Sequence, residues 1–303
     1  MKRAIAFFSI LLLGAGVLYY TQRRPSSPPV SANPLLDMVA DAQHDLSRVP
    51  LRLTRISDEE EIRIGDRLAA GYTPGKQILS PEDLALQRYV RVVGGRLALS
   101  AHRSLPYQFH LDSDPRLINA FSLPGGHVFI GRGMLNMVQT EDELAAILGH
   151  EIAHIDLYHC AERVQVEAQL RKLPLGGFEL LARIPVQVWQ LGYHKDEEFE
   201  ADRAGTQLAV DRGYSPYGTV ILLEHLQRLH REYVIHASTP ERELEEFTLQ
   251  GLTGYFRTHP LTSERLEATN RLIQSEGWRD RKAQKPFRME YRASQTAAAS
   301  PAR

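Results

Sequence analysis

The sequence predicts an α+β fold that is mostly α-helical, with a small β-sheet, in one large domain behind an apolar N-terminal run. Three observations carry this. Capping patterns open helices at Ser57-Asp58-Glu59-Glu60 and Thr140-Glu141-Asp142-Glu143. Apolar residues recur at three- and four-residue spacings along much of the chain, whereas alternation is confined to short stretches. The 303 residues, 43% hydrophobic and 24% charged, suffice to bury a core and exclude both a disordered chain and a polytopic membrane bundle. Lys and Arg number 36 against 37 Asp and Glu, so no bulk basic field exists and no nucleic-acid partner is expected. The single cysteine, Cys160, excludes an intrachain disulfide and a Cys-rich metal site, and reads as a small core residue.

In chain order, Lys2 and Arg3 precede an uncharged apolar run over 4–20, which ends in Tyr19 and Tyr20 and is followed by Arg23 and Arg24. That length lies near the short end of a bilayer span, and the aromatic and basic flanks suit an interface. Residues 1–24 are therefore expected to be a membrane anchor; the alternative is a cleaved signal, with Val30-Ser31-Ala32 as a distant cleavage candidate. Residues 25–50 read as a Pro/Ser-rich linker and lead-in, 51–280 as the main domain, and 281–303 as a disordered tail. Within the domain, the first capping box opens a helix carrying Ile62, Ile64, Leu68 and Ala69, and a second helix is expected over 81–102. Short strands are expected at 107–111 and at 128–130 after Pro124-Gly125-Gly126. The second capping box opens a long apolar helix through Ala161. Further helices are expected at 177–191, 195–212, 216–232 and 261–276, the first of them amphipathic and packed on the domain.

The chemistry sits in the long middle helix, as His150-Glu151-Ile152-Ala153-His154. Positions four apart on a helix differ by about 40° around its axis, so His150 and His154 share a face and can hold one Zn²⁺ between them. Glu151 lies beside that face and can take a proton from water on the metal. Twelve histidines make a chance match uncommon rather than negligible, so burial carries the argument: two histidines and a glutamate on an apolar helix are costly to bury without partners. A third protein ligand is expected from 193–202 (YHKDEEFEAD), where Glu198 and Asp202 share a helical face. One could ligate and the other orient a ligand histidine; Glu197 and Glu200 point elsewhere round the helix. His159, about 180° from His150 on a continuous helix, reads as surface or structural; His127 sits beside the predicted strand, with substrate contact only its minor reading. The extended stretch 119–130 could pair with substrate backbone.

Four segments resemble a known family: 57–71 (SDEEEIRIGDRLAAG), 119–135 (NAFSLPGGHVFIGRGML), 143–154 (ELAAILGHEIAH) and 193–205 (YHKDEEFEADRAG). Thr258-His259-Pro260 with Arg265 is a fifth. Together they resemble the membrane-associated zinc peptidases that include the type I CAAX prenyl proteases and the HtpX-like and BepA-like peptidases, with most likeness to the BepA-like periplasmic branch. One departure is His194-Lys195, where members often carry Ser-Arg. The resemblance implies a zincin-like (gluzincin) fold and one Zn²⁺ per chain, with His150, His154 and Glu198 as ligands. It implies Glu151 as general base and acid, and Asp202 as the residue orienting a ligand. A family relative can close its site with the histidine of the Thr-His-Pro loop, which makes His259 a candidate for the fourth metal position. The implied function is a membrane-tethered endopeptidase. Its domain would lie on the extracytoplasmic, periplasmic side and act on membrane or envelope proteins in quality control. An aminopeptidase and a non-catalytic assembly factor are the competing readings.

Overall fold

The computed structural model describes residues 55–72, 79–170, 193–236, 259 and 263–287. Helices α1 (Asp58–Tyr72) and α2 (Pro81–Ala98) lead into strand β1 (Gln108–Asp112), strand β2 (Ala120–Leu123), a 3₁₀ turn at Pro124–Gly126 and strand β3 (His127–Gly131). There follow α3 (Arg132–Met137), α4 (Glu141–Asp156), α5 (His159–Leu170), α6 (Lys195–Asp211), α7 (Tyr217–His236) and α8 (Ser263–Ser275). This is the expected mostly helical α+β fold. Among the described residues no helix is long and apolar enough to cross a membrane. The apolar run 4–20, the linker 25–50 and the helix expected at 177–191 lie outside the described residues.

Capping chemistry starts the helices where the sequence places them. Ser57 Oγ accepts the Glu60 amide at 3.2 Å while Glu60 Oε2 accepts the Ser57 amide at 3.4 Å. Ser80 Oγ accepts the Asp83 amide, with Pro81 at the first helical position. Thr140 Oγ1 accepts the Glu143 amide at 3.1 Å. The second helix ends at Ala98, four residues short of the expected 102.

The sheet runs β1-β3-β2, with β3 parallel to β1 and antiparallel to β2. β3 is therefore interior, and of the stretch 119–130 only β2 lies at an edge. The sequence reading missed β2 because its four residues are too short to alternate; all four are buried. Gln87 of α2 closes the other edge. Its amide nitrogen donates to the Phe109 carbonyl, and its oxygen accepts the Leu111 amide, both at 2.7 Å.

Every residue of α4 is buried, with α2, α6, α7 and β2 packed around it. Both its ends are tied down. At the N-terminus, Asp142 accepts the amides of Ser215 and Lys285, and the Lys285 carbonyl accepts the Glu141 amide. Phe287 is buried and meets Tyr89 edge to face at 5.1 Å. Lys285 and Phe287, within the stretch 281–303 read as a tail, are thus held against the domain; acceptors at a helix start capture that backbone, which composition does not reveal.

At the C-terminus of α4, the helix expected to run through Ala161 stops at Asp156. Asp156 accepts the amides of His102 and Arg103, while Arg103 Nη1 donates to the Ile155 carbonyl at 2.7 Å. A cation on the last carbonyls is favourable. Tyr158 turns left-handed (φ 69°), with the Arg55 and Arg103 guanidinium groups over its ring at 3.5 and 3.9 Å. Arg103 also pairs with fully buried Glu61, which accepts the Gly125 amide, so α1, the 3₁₀ turn and the end of α4 form one network.

α4 and α6 cross at Gly149 and Gly205. A Cβ on Gly149 would sit 2.7 Å from the Gly205 carbonyl oxygen, and one on Gly205 would sit 2.6 Å from the His150 nitrogen. Backbone meets backbone there, with nothing flexible to yield. Gly205→Ala is expected to destabilise the fold by about 1–3 kcal/mol as an overpacking change. Gly95→Ala, at an exposed α2 position with open space around it, is expected to stabilise by about 0.5–1 kcal/mol. Urea unfolding of the two variants tests the contrast.

Candidate metal centre

The glycine crossing lays the start of α6 against the second half of α4. From α4 come His150, Glu151 and His154; from α6 come Glu198 and Asp202, both buried. Buried His259 and Arg265 of α8 complete the group. His150 Nε2 lies 3.1 Å from His154 Nε2 and 3.2 Å from His259 Nδ1. Glu198 Oε1 lies 3.0 Å from His259 Nδ1 and 3.5 Å from His154 Nε2. One donor atom from each of His150, His154, Glu198 and His259 lies within 4.8 Å of all the others.

This donor set fits a zinc-sized cation on three counts. Bonds of about 2.0–2.1 Å in a tetrahedron give donor separations of about 3.3 Å, and the separations above, at 3.0–3.5 Å, scatter about that value. Three imidazole nitrogens aimed at one point cannot all be satisfied by shared protons. The charge balance points the same way. Glu151, Glu198 and Asp202 bring three buried carboxylates against the guanidinium of Arg265 and the His150 ring, an excess of acidic groups that a divalent cation would offset.

Asp202 holds His150 from behind, its Oδ1 3.0 Å from His150 Nδ1, and is itself gripped by Arg265 at 2.6 and 2.7 Å. A further Arg265 nitrogen reaches Glu198 Oε2 at 2.7 Å. Burial opposes ionisation of both acids, but Arg265 and the imidazoles outweigh it. Asp202 is held below the usual carboxylate range and Glu198 well below it. Burial likewise opposes a charged His150, yet the Asp202 and Glu198 carboxylates push its pKa up to about 10. For His154 burial prevails and lowers the pKa well below the ordinary histidine value, favouring the neutral ring that a metal requires. Both oxygens of Glu151 are buried with no hydrogen-bond donor among the described residues, and His259 Nε2 lies 3.3 Å from Oε1.

The structure thus brings together His150, Glu151, His154, Glu198, Asp202 and His259. Thr258 and Pro260, which flank His259, lie outside the described residues. The other two acids of the 193–202 segment are used differently. Glu197 Oε2 accepts the His194 amide at the start of α6, and Glu200 turns to His159 at 3.0 Å. In the His194-Lys195 departure, Lys195 pairs with Glu264 of α8 at the surface. His127 is buried between Asp66 and His110, each 3.0 Å away, rather than presented to a substrate. Cys160 is buried as expected, and burial pushes its pKa up to about 12.

The sequence reading missed two residues. His159 is buried, not at the surface, because the break at Tyr158 swings it beneath His154. Tyr193 stacks on the His154 ring at 3.7 Å and 15°. Neither carries a sequence signal beyond its type. The electrostatics of the site can be tested without metal. Arg265→Met leaves Asp202 and Glu198 buried without their cation and is expected to cost about 3–5 kcal/mol of stability, read by denaturant unfolding of the metal-free protein.

Comparison with known proteins agrees with this geometry. Residues 84–273, more than half of the chain, match the model of peptidase family M48. The mitochondrial metalloendopeptidase OMA1 of Schizosaccharomyces pombe is 28% identical over 233 residues, covering 74% of this chain and 64% of that protein. The beta-barrel assembly-enhancing protease of Yersinia pestis is 28% identical over 238 residues, covering 72% of this chain and 45% of that protein. The chain therefore spans less than two thirds of the length of these curated relatives. The family match covers α2 through α8 almost to its end, and with it every donor of the cluster; the chain belongs to peptidase family M48.

Proposed function

We propose that this chain is a zinc-dependent endopeptidase, with His150, His154 and Glu198 as the ligands of one Zn²⁺ and Glu151 as general base and acid. The observation that carries the reading is the buried Glu151 carboxyl group, which has no hydrogen-bond donor among the described residues and stands beside a four-donor cluster. A carboxylate is costly to bury in that state unless it serves a proton. Bound zinc would polarise a peptide carbonyl and acidify water. Glu151 then takes a proton from the attacking water and returns it to the departing amine. Asp202 keeps the His150 ring aimed through Nδ1, and Arg265 keeps Asp202 in place.

The substrates we infer are membrane or envelope proteins, handled in quality control. The names of the relatives support this reading: one is a beta-barrel assembly-enhancing protease, and the other is a mitochondrial metalloendopeptidase. The apolar run 4–20 would tether the domain on the periplasmic side. Metal content measured together with proteolysis of an unfolded protein tests the chemistry. The wild type is expected to carry one zinc and cleave. Glu151→Gln is expected to keep the zinc and lose about 10²–10⁴-fold in rate. A wild type without zinc overturns the reading.

In this reading His259 would take the position that a substrate or water needs. With His259 Nδ1 among the donors, the centre has four protein ligands, whereas a catalytic zinc keeps one position open. We infer a resting, closed site that opens when the segment around His259 moves away. His259→Ala is expected to raise basal proteolysis with zinc retained. Unchanged basal activity refutes self-closure, and activity lost with zinc retained reassigns His259 to substrate contact.

A further inference from the structure

The two histidines of α4 are supported in different ways. His150 is held by a buried carboxylate, directly. His154 has no carboxylate against Nδ1; its neighbour there is another imidazole, with Nδ1 of His159 at 2.9 Å. The Nε2 of His159 in turn lies 3.0 Å from Glu200 Oε2, and the Glu200 side chain is 48% exposed. On an uninterrupted helix His154 and His159, five residues apart, would point about 140° away from each other. They meet only because α4 stops at Asp156 and the left-handed Tyr158 redirects the chain into α5.

The proton bookkeeping along this row permits one arrangement. A neutral imidazole has one donor and one acceptor nitrogen. If His154 presents Nε2 to a metal, its proton is on Nδ1, and the atom in reach is His159 Nδ1, which must then accept. His159 consequently carries its own proton on Nε2, where Glu200 Oε2 accepts it. A His159 protonated on Nδ1 would instead set two N–H groups against each other at 2.9 Å. Tyr193 covers the face of His154 by stacking, which restrains tilt but not rotation within the ring plane. The His159 contact supplies that remaining restraint.

We propose that His159 and Glu200 are positioning residues: His159 accepts from His154 Nδ1, Glu200 fixes the tautomer of His159, and together they lock His154 with Nε2 toward the metal. This rests on the proposed metal site. It gives Glu200, an exposed acid, a role distinct from that of buried Glu198, two residues away. It also makes the metal centre sensitive to substitution at a half-exposed position outside the donor cluster.

The test uses the full chain and zinc itself, with affinity read by chelator competition. His159→Ala is expected to weaken zinc binding about 10–100-fold, the range for removing a hydrogen-bond partner of a metal ligand. His159→Asn is expected to recover most of that loss, because its Oδ1 stands near the position of Nδ1 and still accepts. Equal affinity for wild type and His159→Ala overturns the relay while leaving the metal site standing, and so does an Asn variant as weak as Ala, which would mean that ring volume alone matters. A measurement on the wild type needs no variant to fold. Side-chain ¹⁵N NMR of the zinc-loaded protein is expected to show His159 neutral with its proton on Nε2; a proton on Nδ1, or on both nitrogens, overturns the proposal. A wild type that takes up no zinc overturns both this proposal and the reading beneath it.

Discussion

The backbone contact between Gly149 and Gly205 is the constraint on which the centre depends. Helix axes normally stand about 8–10 Å apart because side chains separate them. Where each helix has a hydrogen in place of a Cβ, the Gly205 carbonyl and the His150 amide come within the reach of a single carbon atom. Gly149 immediately precedes His150, and Gly205 follows Asp202 by less than one turn. The closest approach of the two helices is therefore also the place where side chains from both are called on to meet. A wider crossing would leave Glu198 and Asp202 facing α4 across a gap, and neither the Asp202 grip on His150 nor the four-donor cluster would form.

That approach concentrates charge where water is excluded. Three carboxylates, three imidazoles and a guanidinium share a buried volume, and isolated charges there would be expensive. The arrangement offsets the expense by pairing: Arg265 binds Asp202 and Glu198, and Asp202 binds His150. The remaining excess of negative charge favours a divalent cation. Glu151, unlike Asp202 and Glu198, has no arginine partner among the described residues.

A site assembled at a helix crossing is only as precise as the helices are rigid. α4 is buried on all sides and fastened at both ends, by Asp142 with the returning 281–287 segment and by Asp156 and Arg103 with the 102–103 loop. The same fastening that stops the helix at Asp156 also produces the turn that places His159. Architecture and the support of His154 thus share one cause.

The sequence by itself determined what is local. Capping residues set helix starts, the four-residue spacing put His150 and His154 on one face, and the same spacing paired Glu198 with Asp202, since a helix imposes its period on any residues it carries. The segment resemblance added the expectation that His259 belongs to the site, and the tertiary structure places it there. Sequence periodicity could not show that the α4 helix ends early or that His159 lies beneath His154. Nor could composition show that Lys285 and Phe287 are held against the domain. Those outcomes are decided by pairings between groups distant in the chain: Asp142 with Ser215 and Lys285, Asp156 with His102 and Arg103, and Glu61 with Arg103. Their effect exists only once loops have closed around the core, and a local pattern carries no record of which distant backbone will arrive.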